Sequence, residues 1–293
     1  MEVVAQLIAS AVVLGGIYAL VSIGLTLVFG VMRIVNFAHG EFLMLSMYLA
    51  VGLFATAGID PYLGLLVAVP LSLAFGAVVY LGIIRPIVAR PHVVQIFTTL
   101  GLSIVLQNAA LFLWSGNFRQ LRLPYGANVL TIAGAVVTVP QVVAFGVAAA
   151  FTVALFAWLR FTYLGKAMRA TAQDRNAATL MGIDTGQVLL VAFLVGALCV
   201  AVAGMLMAPL FATYPTVGLQ FVLIAFVVVV LGGLGSAVGA LLGGMIVAFI
   251  DVIGGYYVGT AWKEALYFLV FIVVLLARPA GLFGQRGAEH LGT

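Results

Sequence analysis

Nine apolar runs, most of them near twenty residues long, leave this chain few folds to choose from. They fall at about 3–29, 38–57, 62–84, 93–114, 140–160, 188–212, 219–233, 236–254 and 264–277. A helix rising about 1.5 Å per residue crosses a hydrocarbon core of about 30 Å in roughly twenty residues, and it pairs its own backbone groups on the way. Only 7% of the 293 residues are charged and 65% are hydrophobic, with mean hydropathy +1.30; a soluble domain is about a quarter charged. The prediction is an all-α, polytopic membrane helical bundle, one domain over residues 1–293. Runs 219–233 and 264–277 are short for a crossing, so the count is eight or nine, with nine favoured. The first run has no basic residue before it and no clear cleavage site, so it reads as a retained span. Cys199 sits in an apolar run and excludes an intrachain disulfide.

A net charge of +4 would suggest nucleic acid as a partner in a soluble protein. Here the cations lie at span ends and orient the bundle, so no nucleic acid is expected; membrane lipid surrounds it. With nine crossings and the N-terminus outside, Arg33, Arg85, Arg90, Arg160, Lys166, Arg169, Arg175, Arg278 and Arg286 fall on the inner side. Arg119, Arg122 and Lys263 fall outside. That asymmetry obeys the positive-inside rule. It makes 115–140 an external loop, with a small hairpin in Val129 to Val139 around Ala133 and Gly134. The loop is either an ordinary connection or a contact for an external partner.

The same orientation places segment 161–187 in the cytoplasm. Within it, Gly165 to Ile183 gathers Lys166, Arg169, Gln173, Asp174, Arg175 and Asn176. It is Ala-rich and free of Pro, and it has no Gly between its two flanking glycines, which predicts one helix ending at Gly182. Asp184 caps the next helix, with Gln187 placed as in a capping box.

Polar residues inside apolar runs are the candidates for a translocation path, because such groups are costly in lipid. They are Tyr18, Asn36, His39, Glu41, Gln107, Asn108 and Asp251. Tyr18, Ser22 and Thr26 share a helix face, and Thr98 and Thr99 lie in the fourth run. Asn36 also reads as the N-cap of the second span, with Glu41 in its first turns where the helix dipole favours an anion. That structural role is weighed above direct substrate contact. Gly235, Gly239 and Gly243 recur every four residues and predict close helix packing. His39, His92, His290 and Cys199 lie at no ligand spacing, so no metal and no other cofactor is expected. No nucleophile–base or metalloprotease motif is present, and no Gly-x4-Gly-Lys-Ser/Thr loop. The chain is therefore not read as an enzyme, and any ATPase must be another chain.

Four stretches carry a family resemblance. They are Tyr18-Ala19-Leu20 through Gly24-Leu25-Thr26 into Asn36-Phe37-Ala38-His39-Gly40-Glu41; Gly165 to Ile183; Leu231-Gly232-Gly233-Leu234-Gly235-Ser236; and Arg278 to Gly284. Together they run over nearly the whole chain, which resembles the LivH-type permeases of branched-chain amino acid importers driven by ATP-binding cassettes. The resemblance implies a transport subunit in a bacterial inner membrane, paired with a second homologous permease as a heterodimer. It further implies two cytoplasmic ATPase subunits and a periplasmic substrate-binding protein. Arg169, Asp174, Arg175, Asn176, Ala177 and Gly182 match the family's ATPase-coupling segment, and Lys166 adjoins them. The implied cargo is branched-chain amino acids, with amides, urea and small carboxylic acids as alternatives. An ion-driven transporter is the rival, and it would have little beyond Asp251 and Glu41 to bind its ion. Phe221 to Val230 is wholly apolar where some relatives carry a polar or basic residue.

Overall fold

The computed structural model describes residues 2–132, 134–278 and 280–284. Arg286 and His290 lie outside them, as does Pro279 of the C-terminal motif. The helices are α1 (Glu2–Met32), α2 (His39–Ala57), α3 (Pro61–Val79), α4 (His92–Trp114), α5 (Val139–Phe161), α6 (Tyr163–Gln173), α7 (Arg175–Leu180), α8 (Thr185–Met207), α9 (Val217–Gly232), α10 (Ala237–Tyr257) and α11 (Lys263–Ala277). A π turn, Tyr80–Ile84, carries α3 on to Ile87, where Pro86 has no N–H to offer a regular helix. Among the described residues, seven helices are long and apolar enough to cross a membrane: α1 to α5 (α3 through Ile87), α8 and α10. The two shorter ones, α9 and α11, are the two runs that the sequence marked as short.

Helices α1 and α8 form the core and the others wrap around them; α3, α4 and α5 leave most of their surface exposed. Close approach at small residues holds the centre together. A Cβ added to Gly24 would lie 2.9 Å from the Gly196 carbonyl oxygen, and one added to Gly244 would lie 2.6 Å from the Ala19 nitrogen. Gly239 and Gly243 bring α10 against Gly232 and the Val228 carbonyl of α9. Gly235 departs from the expected stripe. It sits before α10 with φ +83° and packs on Gly30 of α1.

The expected hairpin forms, with β1 (Val129–Ile132) antiparallel to β2 (Ala135–Thr138). Gln6 clamps it to α1 through both amide atoms, at 2.9 and 2.8 Å from the Val136 backbone. Arg119 and Thr213 exchange two backbone hydrogen bonds, tying this loop to the turn between α8 and α9. The Tyr125 hydroxyl donates to Asp60, the N-cap of α3; burial and that carboxylate both push the phenol pKa up. At the opposite end, Gln95 donates to the Ile87, Val88 and Arg90 carbonyls, satisfying the backbone where α3 ends. Leu282 and Phe283 donate their N–H groups to Leu231 and Gly232, which closes the end of α9.

Segment 161–187 departs from the expected single helix. Asp174 is extended (φ −151°, ψ 110°), and its carboxylate accepts from the Asn176 and Ala177 N–H groups at 2.8 and 2.9 Å. The local cap competes with helix continuation and wins, so α6 stops and α7 starts there. Gly182 (φ +82°) then ends the segment as expected. Asp184 caps α8, accepting from Gly186 and Gln187, while the Gln187 side chain makes no return bond.

Candidate functional site

The chain does not pass from α1 to α2 at the end of α1. Arg33 turns with φ +58°, and Ile34 to Ala38 run back into the bundle without helical structure. The His39 ring lies 3.1 Å from the Val21 carbonyl, eleven residues before the end of α1. At 1.5 Å per residue this places the start of α2 about 16 Å inside the bundle. Irregular backbone at such depth must be enclosed by protein. It is: Ile34, Asn36 and Ala38 are buried, and Thr99 of α4 donates to the Val35 carbonyl at 3.2 Å. Asn36 is not the N-cap that its sequence suggests. That position is Ala38, with no side-chain cap, while the Asn36 side chain accepts from the Ala38 N–H at 3.1 Å and closes the preceding turn.

Helix α9 begins at the same depth from the other side. Gly218 and Gly40 face one another, so closely that a Cβ on Gly218 would stand 2.6 Å from the Gly40 carbonyl oxygen and 2.8 Å from Glu41 Oε2. Two helix N-termini thus meet inside the bundle, and one fully buried carboxylate lies between them. The positive ends of both helices favour an anion there. Glu41 Oε1 accepts from Ser103 at 3.0 Å and Gln107 at 2.7 Å, both on α4. Glu41 Oε2 has no hydrogen-bond donor among the described residues. The His39 bond to a carbonyl requires the proton on Nε2, so this ring is a donor and leaves no lone pair on that nitrogen for a metal.

The structure therefore brings Glu41 and Gln107 together, while Asn36 and His39 lie beside each other on the side of the same segment that faces α1 and α8. Sequence reading missed Ser103, Gly40 and Gly218. The spacing of Thr99, Ser103 and Gln107 at four residues was the available signal, since it puts three polar groups on one face of α4. Asn108 lies apart, on the exposed face of α4, and donates to the Ile104 carbonyl. Tyr18 and Asp251 form a second cluster: the Tyr18 hydroxyl donates to Asp251 Oδ2 at 3.0 Å, and Lys263 Nζ lies 3.3 Å from Oδ1 as an ion pair, too poorly aligned for a hydrogen bond. This pair ties α1 to α10 and α11. Asp251→Asn should lower thermal stability by about 1–3 kcal/mol, as expected for a buried pair with one partly exposed partner. Uptake per folded molecule should hold; a loss of uptake at unchanged melting temperature would put Asp251 on the route.

The charged segment offers a surface. Asp174, Arg175, Asn176 and Ala177 are exposed, and Leu180 and Met181 stand 88% and 82% exposed at its tip, where no packing among the described residues accounts for two large apolar side chains. Lys166 is exposed on α6. Arg169 is exposed as well, and its guanidinium donates to the Leu159 carbonyl in the last turn of α5. Arg33 reaches the Ala172 carbonyl at 3.4 Å, so the residue that starts the re-entrant strand also touches α6.

Residues 7–275 match the family described as branched-chain amino acid transport system / permease component. The chain belongs to this family. It is similar to the high-affinity branched-chain amino acid transport system permease protein LivH of Escherichia coli, at 33% identity over 98% of this chain and 97% of the relative. BraD of Pseudomonas aeruginosa, named for the same kind of transport system, is 31% identical over 98% of this chain and 97% of its own. The probable LivH permease of Methanocaldococcus jannaschii is 25% identical over 95% and 92%. No solved structure matches the chain significantly. Membership agrees with the fold: the chain is a multi-pass protein of the inner membrane, with several long apolar helices.

Proposed function

We propose that this chain is the transmembrane permease subunit of an ATP-binding-cassette importer for branched-chain or related small amino acids. The observation that carries this reading is the likeness to named permease subunits over nearly the full length of both chains. The charge asymmetry puts α6 and α7 in the cytoplasm, where two separate ATPase subunits bind, and the hairpin loop outside, towards a periplasmic binding protein. A second homologous permease completes the transmembrane pore. The ATPase touches Arg175, Asn176, Ala177, Leu180 and Met181, while Arg169 serves the joint between α5 and α6. Movement of α6 reaches Arg33, then the re-entrant strand, then Glu41. The ATPase drives this change only by binding the two permease states with different affinity.

The reading is tested by leucine uptake into cells that carry the chain and its co-encoded partners. Uptake should stop when ATP is depleted and persist when an uncoupler abolishes the proton gradient with ATP maintained. Uptake that collapses with the gradient at normal ATP would contradict it in favour of an ion-driven carrier.

A further inference from the structure

Between α1, α5, α6 and the start of α10 lies a cavity of about 580 Å³, at the end of the bundle where the arginines gather. Its walls are apolar apart from Thr26, Ser236, Arg160 and Arg169, and among the described residues no acidic one lines it. Arg160 has no carboxylate partner among the described residues; its guanidinium lies 5.6 Å from the Phe161 ring centre. Arg33 adds a third positive charge through its bond to Ala172 of the wall. Thr26 Oγ1, buried in the inner wall, has no hydrogen-bond partner among the described residues. Of the lining residues, Val153, Phe161 and Val238 are 69%, 72% and 54% exposed.

These exposed apolar side chains form a mouth suited to hydrocarbon better than to water. An apolar slot open to lipid, with unneutralised arginines at the interfacial end, is complementary to a molecule with an anionic head and an acyl tail. We propose that it is a binding site for one anionic phospholipid of the leaflet on the arginine-rich side. The phosphate sits at Arg160 and Arg169 beside the Ser236 turn, and an acyl chain lies along Val153 and Phe156. A lipid there packs directly on α6. A peptide of an ATPase partner is the rival occupant, but it would have to enter through the apolar mouth.

The site is tested by native mass spectrometry of the purified full-length chain mixed with phosphatidylglycerol or phosphatidylethanolamine of identical acyl chains. The wild type should retain phosphatidylglycerol preferentially. Arg160→Gln should reduce that retention about fivefold, the effect of one arginine on an anionic headgroup, and leave phosphatidylethanolamine unchanged. Val153→Trp, on an exposed position that cannot disturb the core, should obstruct the mouth and reduce retention without altering charge. Arg122→Gln, at the other end of the molecule, should change nothing. Equal retention of both lipids by the wild type would overturn the proposal, as would full phosphatidylglycerol retention by Val153→Trp; the latter decides the matter if Arg160→Gln fails to fold. The readout needs no transport, so it stands or falls apart from the proposed function.

Discussion

Glu41→Ala should destabilise the protein by about 2–4 kcal/mol and depress uptake. The carboxylate is fully buried and takes hydrogen bonds from Ser103 and Gln107 through one oxygen. Its removal leaves two buried donors without their acceptor, each costing about 1–3 kcal/mol, partly offset because Gln107 also reaches Ser103 at 3.1 Å. It also removes the anion that faces the N-termini of α2 and α9. Glu41→Gln keeps the acceptor and should recover at least half of the lost stability, with the remaining deficit measuring the charge. Thermal unfolding in detergent reads both variants. A melting temperature for Glu41→Ala equal to wild type would show that the three helices meet without this residue.

Gly218→Leu should prevent folding, and Gly218→Ala should already cost about 2–3 kcal/mol, because overpacking against backbone has no side chain to yield. A methyl group at 218 meets the Gly40 carbonyl oxygen at 2.6 Å, which cannot retreat without moving the start of α2, and Glu41 Oε2 at 2.8 Å. Gly52 is the contrast. It lies in α2 with nothing within 4 Å of an added Cβ, so Gly52→Ala should be neutral or raise stability by about 0.5–1 kcal/mol through helix propensity. Expression yield and melting temperature separate the two positions. Comparable effects at 52 and 218 would mean that the buried helix ends are not in close contact.

The bundle itself was legible in the sequence because lipid demands long apolar runs and charges at their ends, and both are linear features. The two weak runs turned out to be α9 and α11, and Gly182 fell where the charged segment stops. What was not legible is depth. Ile34 to Ala38 is nearly as apolar as a span, so hydropathy cannot tell a chain leaving the bundle from one folding back into it. The depth of the Asn36 to Glu41 motif shows only when His39 is found beside Val21 and Gly40 beside Gly218, far away in sequence. Ser103 was overlooked for a related reason: a hydroxyl is cheap in a membrane helix, and only its distance to Glu41 distinguishes it. In segment 161–187, composition was a good guide to helix and a poor one to continuity. Asp174 reads as a polar surface residue until its carboxylate is seen to cap α7. Apolar Phe221 to Val230 is mostly core packing of α9.

The central claim is that the turn from Arg175 to Gly182 is where an ATPase drives this permease, and co-purification tests it most directly. The assembled importer is isolated through a tag on this chain, with wild type compared with the double variant Leu180→Asp, Met181→Asp. Both positions are more than 80% exposed, so the variant should fold and melt as wild type does. The account predicts that the ATPase subunits are lost from the variant while the second permease stays bound. Full retention of the ATPase, with ATP-driven uptake unchanged, would contradict it.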